Sequence, residues 1–278
     1  MKSENDIIDT WQKQTERVSA DTFNRYFADG KTRRLTSLRK LEEAFDKVLR
    51  EVREAEVGDI PAVWHIYNMG VIVKTRESLF SIDLHHRRAV EFAPLLDFAL
   101  ITHNHDDHWR HDFYDAMNRS GKTVVSSFLD NYGAVNWKDG SKNWASSGGY
   151  HPGVCTFRIR DVEIRTTHVD HNTYLVDFTT AYEIRVGNWV FYHTGDCGSA
   201  AKFETIWGRP DLWLFFPGCG VDVADAIRRI QPKKLCFGHL WELAHKSGRL
   251  DAPLIRKALA AARSAGASPT LALWGDRL

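Results

Sequence analysis

The first 56 residues have the hydrophobic pattern of helices. In the segment TSLRKLEEAFDKVLREVREAEV, which begins at Thr36, apolar side chains recur at helical spacing and would form one stripe along a helix. Thr36 or Ser37 is the predicted N-cap of this helix. We expect the helix to pack on the main domain, with a contact between two copies of the chain as the alternative. The apolar positions are Leu38, Leu41, Phe45, Val48, Leu49 and Val52.

From Ala62 onwards, short β-branched and aromatic runs alternate with glycine, proline or charged residues, which is typical of strands. The segment AYEIRV-GN-WVFYHT predicts a hairpin, because Gly187 and Asn188 suit a two-residue turn. Helical runs are interspersed: VDVADAIRRI ends before Pro232, and APLIRKALAAARSAG follows Asp251 as its predicted cap. The other predicted strands are AVWHIY, GVIVKT, LFSIDL, DFALITH, VEIRTTHV, DLWLFF, KKLCFGH and TLALW.

This order of elements predicts an α/β (α+β) fold in which two sheets pack on each other with helices outside, rather than a doubly wound parallel sheet. We expect a helical extension over residues 1–56 and a main domain over residues 57–278. Residues 132–153, rich in Gly, Ser, Asn and aromatic side chains, are predicted to form a long loop. This loop is either a lid over a pocket or a surface loop anchored by its own aromatic residues, which are Trp137, Trp144 and Tyr150.

Charge and composition narrow the class of protein. The 278 residues include 37 Lys and Arg against 36 Asp and Glu, a formal net charge of +1, which argues against a protein that coats nucleic acid or an anionic membrane. No apolar run is long enough to span a bilayer, and the N-terminus MKSENDIIDTW lacks the layout of a secretory signal. We therefore expect a cytoplasmic protein whose four cysteines, none in a C-x-x-C pair, are reduced.

Histidine placement indicates the chemistry. The predicted strand DFALIT runs directly into the sequence HNHDDH, residues 103–108. His103 and His105 lie two positions apart in an extended segment, so their side chains point to the same side and can share one metal ion. Asp107 and His108 follow in the turn and can face a neighbouring ion. Imidazole and carboxylate ligands suit Zn, Mn or Fe.

Further ligands are expected at later strand ends, because polar residues of the right type follow apolar runs there. His168 ends one strand directly and is chosen as a ligand ahead of His171, which would then lie behind the ligands or contact the substrate. Asp196 ends another strand and could bridge two ions, and His239 would complete the second site. Asp83, at the end of an early strand, could hold a histidine tautomer or be a plain strand-end residue.

The motif of residues 103–108, followed in order by His168, Asp196 and His239, resembles the ligand pattern of the metallo-β-lactamase superfamily. The resemblance covers about residues 60–278. The resemblance implies an αββα sandwich of two mixed β-sheets with the metal ions at one edge. The segments GVIV, SIDL and YHTGD are most similar to the ascorbate-phosphate lactonase-like branch. Trp109 replaces the glycine that often follows the motif, which disfavours the tRNA 3′-end-processing branch. His105 stands where the flavodiiron branch has Glu, which favours hydrolysis over oxygen reduction.

The expected function is a binuclear metal-dependent hydrolase. Two divalent metal ions (Zn, Mn or Fe) would share a hydroxide that attacks the carbonyl carbon or phosphorus of a small ester, lactone or phosphoester substrate. Asp107 would orient this nucleophile or carry its proton while it ligates the second ion. The near-zero net charge favours a small-molecule substrate and makes nucleic acid an unlikely partner.

Three other functions remain open. The first is a phosphodiesterase or nuclease of the same fold. The second is a mononuclear-iron oxygenase, for which Asp107 and His108 would be free to diverge. The third is a non-catalytic, metal-stabilised binding module that docks through the N-terminal helix, which a complete ligand set disfavours. A homo-oligomer is compatible with the sequence.

Overall fold

The computed structural model describes residues 3–126, 155–244 and 249–278. The predicted lid or loop of residues 132–153 lies outside the described residues. Within them, the helices are α1 (Glu4–Gln14), α2 (Ala20–Asp29), α3 (Thr36–Glu54), α4 (His111–Arg119), α5 (Val223–Ile230) and α6 (Ala252–Ser264). The strands are β1 (Ala62–Tyr67), β2 (Gly70–Lys74), β3 (Leu79–Ile82), β4 (Phe98–Leu100), β5 (Thr123–Val125), β6 (Cys155–Ile159), β7 (Val162–Val169), β8 (Thr179–Val186), β9 (Trp189–His193), β10 (Leu212–Phe215), β11 (Leu235–Phe237) and β12 (Thr270–Leu271). Short 3-10 helices lie at Ala89–Glu91 and Ala200–Lys202.

The described strands form two mixed sheets, as the sequence predicts. The first sheet has the order β1-β2-β3-β4-β5, antiparallel up to β3 and parallel from β3 to β5. The second has the order β12-β11-β10-β9-β8-β7-β6, antiparallel from β6 to β9 and parallel from β9 to β12. The predicted hairpin at Gly187 and Asn188 is confirmed, because β8 and β9 pair directly across it, with Val186 opposite Trp189.

The two sheets meet through buried strands and a few direct hydrogen bonds. Tyr182 of β8 is fully buried, and its hydroxyl donates to the Ile101 carbonyl just beyond β4 at 2.7 Å. Nearby, the Thr180 amide donates to the Thr102 carbonyl at 2.8 Å. These bonds fix the end of β4 against the second sheet, at the point where the histidine-rich motif begins.

Helices cover the outer faces. α3 contacts β1, α4 contacts β5, and α5 and α6 contact each other beside the parallel strands that they connect. α5 is capped by Asp222, whose side chain accepts a hydrogen bond from the Asp225 amide at 2.9 Å. The arrangement is the predicted αββα sandwich.

The described part of the N-terminal extension, residues 3–56, contains three helices that share the core of the sandwich. Trp11 of α1 stacks on Trp241, with ring centroids 5.4 Å apart, and meets Trp274 edge-on at 5.5 Å. The Val18 amide donates to the Leu243 carbonyl at 3.1 Å. Tyr26 of α2 is also fully buried. The extension is therefore continuous with the hydrophobic core, and its description as a separate domain stays a prediction.

The predicted caps need one correction. Leu35, in an extended conformation and without a side-chain hydrogen bond, is the N-cap of α3, so Thr36 and Ser37 are already helical. Ser37 is buried, which means that it packs against the core rather than capping the helix. Asp251 is the N-cap of α6, but its side chain makes no capping hydrogen bond. None of the described helices combines the length and hydrophobicity needed to cross a membrane.

We predict that Tyr182→Phe lowers the free energy of unfolding by about 1–2 kcal/mol, because the variant leaves a buried carbonyl oxygen without its donor. Urea denaturation of the two proteins measures the difference. Tyr174→Phe is the matched control, since Tyr174 is 92% exposed, and its stability should equal that of the parent. Equal stability of Tyr182→Phe and the control would contradict a structural role for this hydrogen bond.

Candidate metal centre

Most of the histidine and aspartate side chains singled out in the sequence converge at one edge of the sandwich, but His168 belongs to none of the groups found there. The loop after β4 carries residues 103–108, and the loops after β7, β9 and β11 carry His171, Asp196 and His239. Loops that follow strand ends are suited to this role, because a rigid sheet fixes where each loop starts. The structure thus brings ligand types from both sheets to the same place.

The first group consists of three histidines. The ring centroids of His103 and His105 are 4.6 Å apart, and those of His105 and His171 are also 4.6 Å apart. Each residue offers one nitrogen within 4.8 Å of the others. Phe178 lies against this group, with its ring centroid 5.1 Å from that of His105. The group has the composition and spacing of a three-histidine metal site.

The second group joins Asp107, His108 and His239. Asp107 Oδ2 lies 3.0 Å from His239 Nε2 and 3.7 Å from His108 Nε2. The ring of His239 stacks on Phe216, with centroids 4.4 Å apart, which holds its plane. This group has the mixed nitrogen and oxygen donors expected of a second site.

Asp196 lies between the two groups. Its Oδ1 is 3.4 Å from His108 Nε2, and its Oδ2 is 3.8 Å from His171 Nε2 and 3.6 Å from His239 Nε2. The preceding Gly195 has a positive φ of 55°. A Cβ there would lie 2.8 Å from side-chain carbons of both Thr102 and Thr179, so only glycine allows this approach. Asp196 is therefore placed to contact ions in both groups.

Asp83 supports the ligands from behind. Its fully buried carboxylate accepts hydrogen bonds from the Thr102 amide at 2.7 Å, from the Thr102 hydroxyl at 2.7 Å and from His108 Nδ1 at 2.8 Å. Because a carboxylate only accepts, Nδ1 of His108 carries the proton and Nε2 faces the site. The Thr102 hydroxyl gives its proton to Asp83, so it accepts from His103 Nδ1 at 2.9 Å. One carboxylate thus sets two histidine tautomers.

Several buried donor atoms fit a bound metal ion. His103 Nε2 and His171 Nε2 are buried in the described structure and have no hydrogen-bond partner there, and the same is true of Asp196 Oδ1. Buried polar atoms of this kind are costly unless they are satisfied. Their convergence, together with the nitrogen and carboxylate chemistry of the set, fits divalent metal ions.

Burial and charge shift the pKa values in opposite directions within the centre. Burial lowers the pKa of His171 to about 4 and, together with the charge of His108, holds the pKa of His103 well below its usual range. For His108, burial opposes the charged ring, but the carboxylates of Asp196 and Asp107 outweigh it and raise the pKa. The lowered pKa values of His103 and His171 favour their neutral rings, the state that binds metal.

The choice between the two later histidines requires a correction. His171 joins the motif histidines, whereas no metal-binding group among the described residues includes His168. The reason is strand length: β7 continues to Val169, and His168 pairs in register with Thr180 inside the sheet. His171 lies in the loop beyond the strand end. The structure therefore makes His171, rather than His168, the candidate third ligand of this group.

Three further residues lie at the centre. The Asn68 side chain donates to Asp107 Oδ2 at 3.1 Å from the turn after β1. Cys219 Sγ lies 4.0 Å from His171 Nδ1. Glu242 is buried beside His239 and accepts a hydrogen bond from the Ala244 amide at 3.0 Å. Asn68 and Cys219 reach the centre through tertiary structure, so neither spacing nor local pattern could indicate them. Glu242 follows His239 by three residues, so the sequence allows it to reach the pocket, but an ordinary polar turn is the favoured interpretation.

Two cavities adjoin the centre. A cavity of about 220 Å³ is lined by both ligand groups and by Cys219, Phe216 and Arg249. A second cavity of about 500 Å³ lies beside it, and His105, Asp107 and Glu242 line both. The centre is accordingly open to a molecule of small size.

Comparisons with solved structures identify the fold. Igni18, a metallo hydrolase from the archaeon Ignicoccus hospitalis, is 18% identical with a TM-score of 0.56, and the match covers 78% of this chain and 97% of that one. YhfI, a metallo-β-lactamase fold protein from Bacillus subtilis, is 14% identical with a TM-score of 0.53, covering 78% and 98%. The chain therefore has the metallo-β-lactamase fold.

A third structure extends the match into the N-terminal helices. CmlA, a diiron β-hydroxylase from Streptomyces venezuelae, is 13% identical with a TM-score of 0.54, and the match covers 94% of this chain and 62% of that one. No protein-family model matches the sequence. No curated protein matches it either.

We predict that His171→Gln and His168→Gln differ in metal content. His171→Gln should lose metal, because it removes one of three nitrogens in the first group, while His168→Gln should keep the parent's content. Elemental analysis of both purified variants measures this, with thermal unfolding as a check that each is folded. Loss of metal from His168→Gln alone would reverse our assignment.

We also predict that Asp83→Asn weakens metal binding by about 10–100-fold, because the residue behind a ligating histidine sets its orientation and basicity. Competition with a chelator of known affinity measures the change. Asp59→Asn, a substitution on an exposed side chain, is the control and should bind metal as the parent does. Equal affinities for the two variants would show that Asp83 does not support the ligands.

Proposed function

We propose that this chain is a hydrolase that works with two divalent metal ions, drawn from Zn, Mn and Fe. The observation that carries the proposal is the arrangement of two three-residue ligand groups that meet at Asp196. In this assignment His103, His105 and His171 hold one ion, and Asp107, His108 and His239 hold the other. Asp196 contacts both.

Two such ions supply Lewis acidity, which lowers the pKa of water towards neutrality and polarises the oxygen of the bond to be cleaved. The protein side chains orient the reactants. Asp107 accepts a hydrogen bond at Oδ2 from the Asn68 side chain at 3.1 Å, which helps to hold its carboxylate in place. From that position Asp107 would orient the attacking water and carry its proton.

The proposed substrate is a small ester, lactone or phosphoester. The modest volume of the adjoining cavities and the near-zero net charge support a small molecule rather than a nucleic acid. The resemblance of the GVIV, SIDL and YHTGD segments to lactonase-like proteins makes a lactone the first substrate to test. Phosphodiesters of small nucleotides are the next class.

A second candidate function is oxygen chemistry at iron. It is favoured by the match to the diiron β-hydroxylase CmlA, which covers 94% of this chain and so includes most of the N-terminal helices. The all-histidine composition of the first group, with His105 at its second position, favours hydrolysis over this alternative. The metal identity distinguishes the two candidates.

We expect the purified chain to contain about two equivalents of Zn, Mn or Fe and to hydrolyse at least one member of a panel of lactones, esters and phosphodiesters. Chelation should remove this activity and added metal should restore it. His105→Ala should lose metal and turnover together, because it removes a ligand. Elemental analysis and hydrolysis assays on the same samples give both results.

Arg25→Ala, on the exposed face of α2, is the control and should keep both properties. Iron alone, with oxygen uptake and no hydrolysis of the panel, would replace our proposal with the second candidate. Full activity in His105→Ala would refute the site assignment. Protein that binds no metal after reconstitution would refute the proposal as a whole.

A further inference from the structure

Helix α2 of the N-terminal extension forms one wall of the larger cavity beside the metal centre. Phe23, Asn24 and Phe27 line this cavity of about 500 Å³ from α2. His105 and Asp107, both assigned above as metal ligands, line the same cavity. A molecule bound at the metal centre would therefore extend towards the aromatic side chains of α2.

Buried contacts anchor α2, the helix that forms this wall, to the core of the protein. Tyr26, between the two phenylalanines, is fully buried, and its hydroxyl lies 2.8 Å from Glu42 Oε1 and 3.0 Å from His86 Nε2. The Ser19 side chain caps the start of α2 by accepting from the Thr22 amide at 3.1 Å. Because Tyr26 anchors the helix to the core, the neighbouring turn presents its side chains to the cavity in a fixed position.

The rings of the wall form a cluster of edge-on and tilted aromatic side chains. Phe23 and Phe27 are four residues apart on one face of α2, with centroids 4.8 Å apart, and Phe27 and His85 have centroids 4.6 Å apart. The Arg110 guanidinium lies 4.7 Å from the centroid of Phe27. Offset and edge-on packing of this kind accommodates a further aromatic ring.

The charges around the cavity select against an anionic group at the wall. Arg110 is already paired with Asp112, through Nε–Oδ1 at 2.8 Å and Nη2–Oδ2 at 2.6 Å, so it contributes a flat surface more than an unmatched positive charge. Two carboxylates, Asp106 and Glu242, also line the cavity. A negative group placed there would face these carboxylates.

We propose that the α2 wall binds an uncharged aromatic ring of the substrate, next to the bond that is cleaved. The position of the cleaved bond rests on the function proposed above, whereas the ring-binding property does not. The N-terminal extension is then part of the substrate site, and Phe27, which is half-buried and faces the cavity, is a residue that determines specificity.

The test is ligand-observed fluorine NMR with 4-fluorobenzyl alcohol, a neutral aromatic probe that needs no metal to bind. We expect Phe27→Ala to weaken its affinity about tenfold, because the variant removes one ring face and the apolar area that it covers. Phe27→Leu should also bind more weakly, since it keeps an apolar side chain but loses the ring. Arg25→Ala on the opposite face of α2 should bind as the parent does.

Two further measurements show whether binding depends on the aromatic ring of the probe and whether the ring lies near the metal centre. The alkyl probe 2,2,2-trifluoroethanol should show no dependence on Phe27. In protein loaded with paramagnetic Co²⁺, the fluorine relaxation of the aromatic probe should increase, because the ring lies close to the metal centre. Equal affinity of the aromatic probe for the parent, Phe27→Ala and Phe27→Leu would overturn the proposal.

The outcome is independent of the hydrolase assignment. If the chain held no metal or hydrolysed nothing, the comparison of parent and Phe27→Ala would still decide whether α2 binds an aromatic ring. If metal binding and hydrolysis were established and Phe27→Ala left both the probe affinity and the preference for aryl over alkyl esters unchanged, only the inference about α2 would fail.

Discussion

The metal centre depends on the buried carboxylate of Asp83. Its three hydrogen bonds come from the amide and hydroxyl of Thr102, directly before the histidine motif, and from the ring of His108. Through the Thr102 hydroxyl they also set the tautomer of His103. A carboxylate without exposure to water is stable only when its lone pairs are satisfied in this way. Because the buried Asp83 carboxylate must be fully hydrogen-bonded, it determines which ring nitrogen of His103 and of His108 faces the site.

The ligands also depend on how the two sheets meet. The first sheet supplies the motif after β4, and the second supplies His171, Asp196 and His239. Direct backbone bonds cross between the two halves at this edge: the Thr180 amide donates to the Thr102 carbonyl, and the His239 amide donates to the Asn68 carbonyl, both at 2.8 Å. The packing of the two sheets therefore also sets the geometry of the candidate ligands, and bound ions would link the two sheets further.

The sequence predicts the features that are local and leaves out those that arise from tertiary contacts. Residues 103–108 could be recognised because their spacing alone brings the side chains together, and the hairpin at Gly187 follows from turn chemistry. The structure groups His171, and not His168, with the motif histidines. The choice between them depends on the exact end of β7, and strand ends are poorly defined by hydrophobic pattern. The positions of Asn68 and Phe27 depend on long-range packing, which no local pattern encodes.

The stacking of Trp11 on Trp241 connects helix α1 to the loop that carries His239. Trp241 lies two residues after His239 and has a positive φ of 56°, so its ring position and the path of the ligand-bearing loop are linked. Substitutions on the inner face of α1, which is distant from His239 in the sequence, would therefore shift the position of the His239 side chain. Sequence variation on the inner face of α1 should be limited by the loop that carries His239 as well as by the packing of the helix itself.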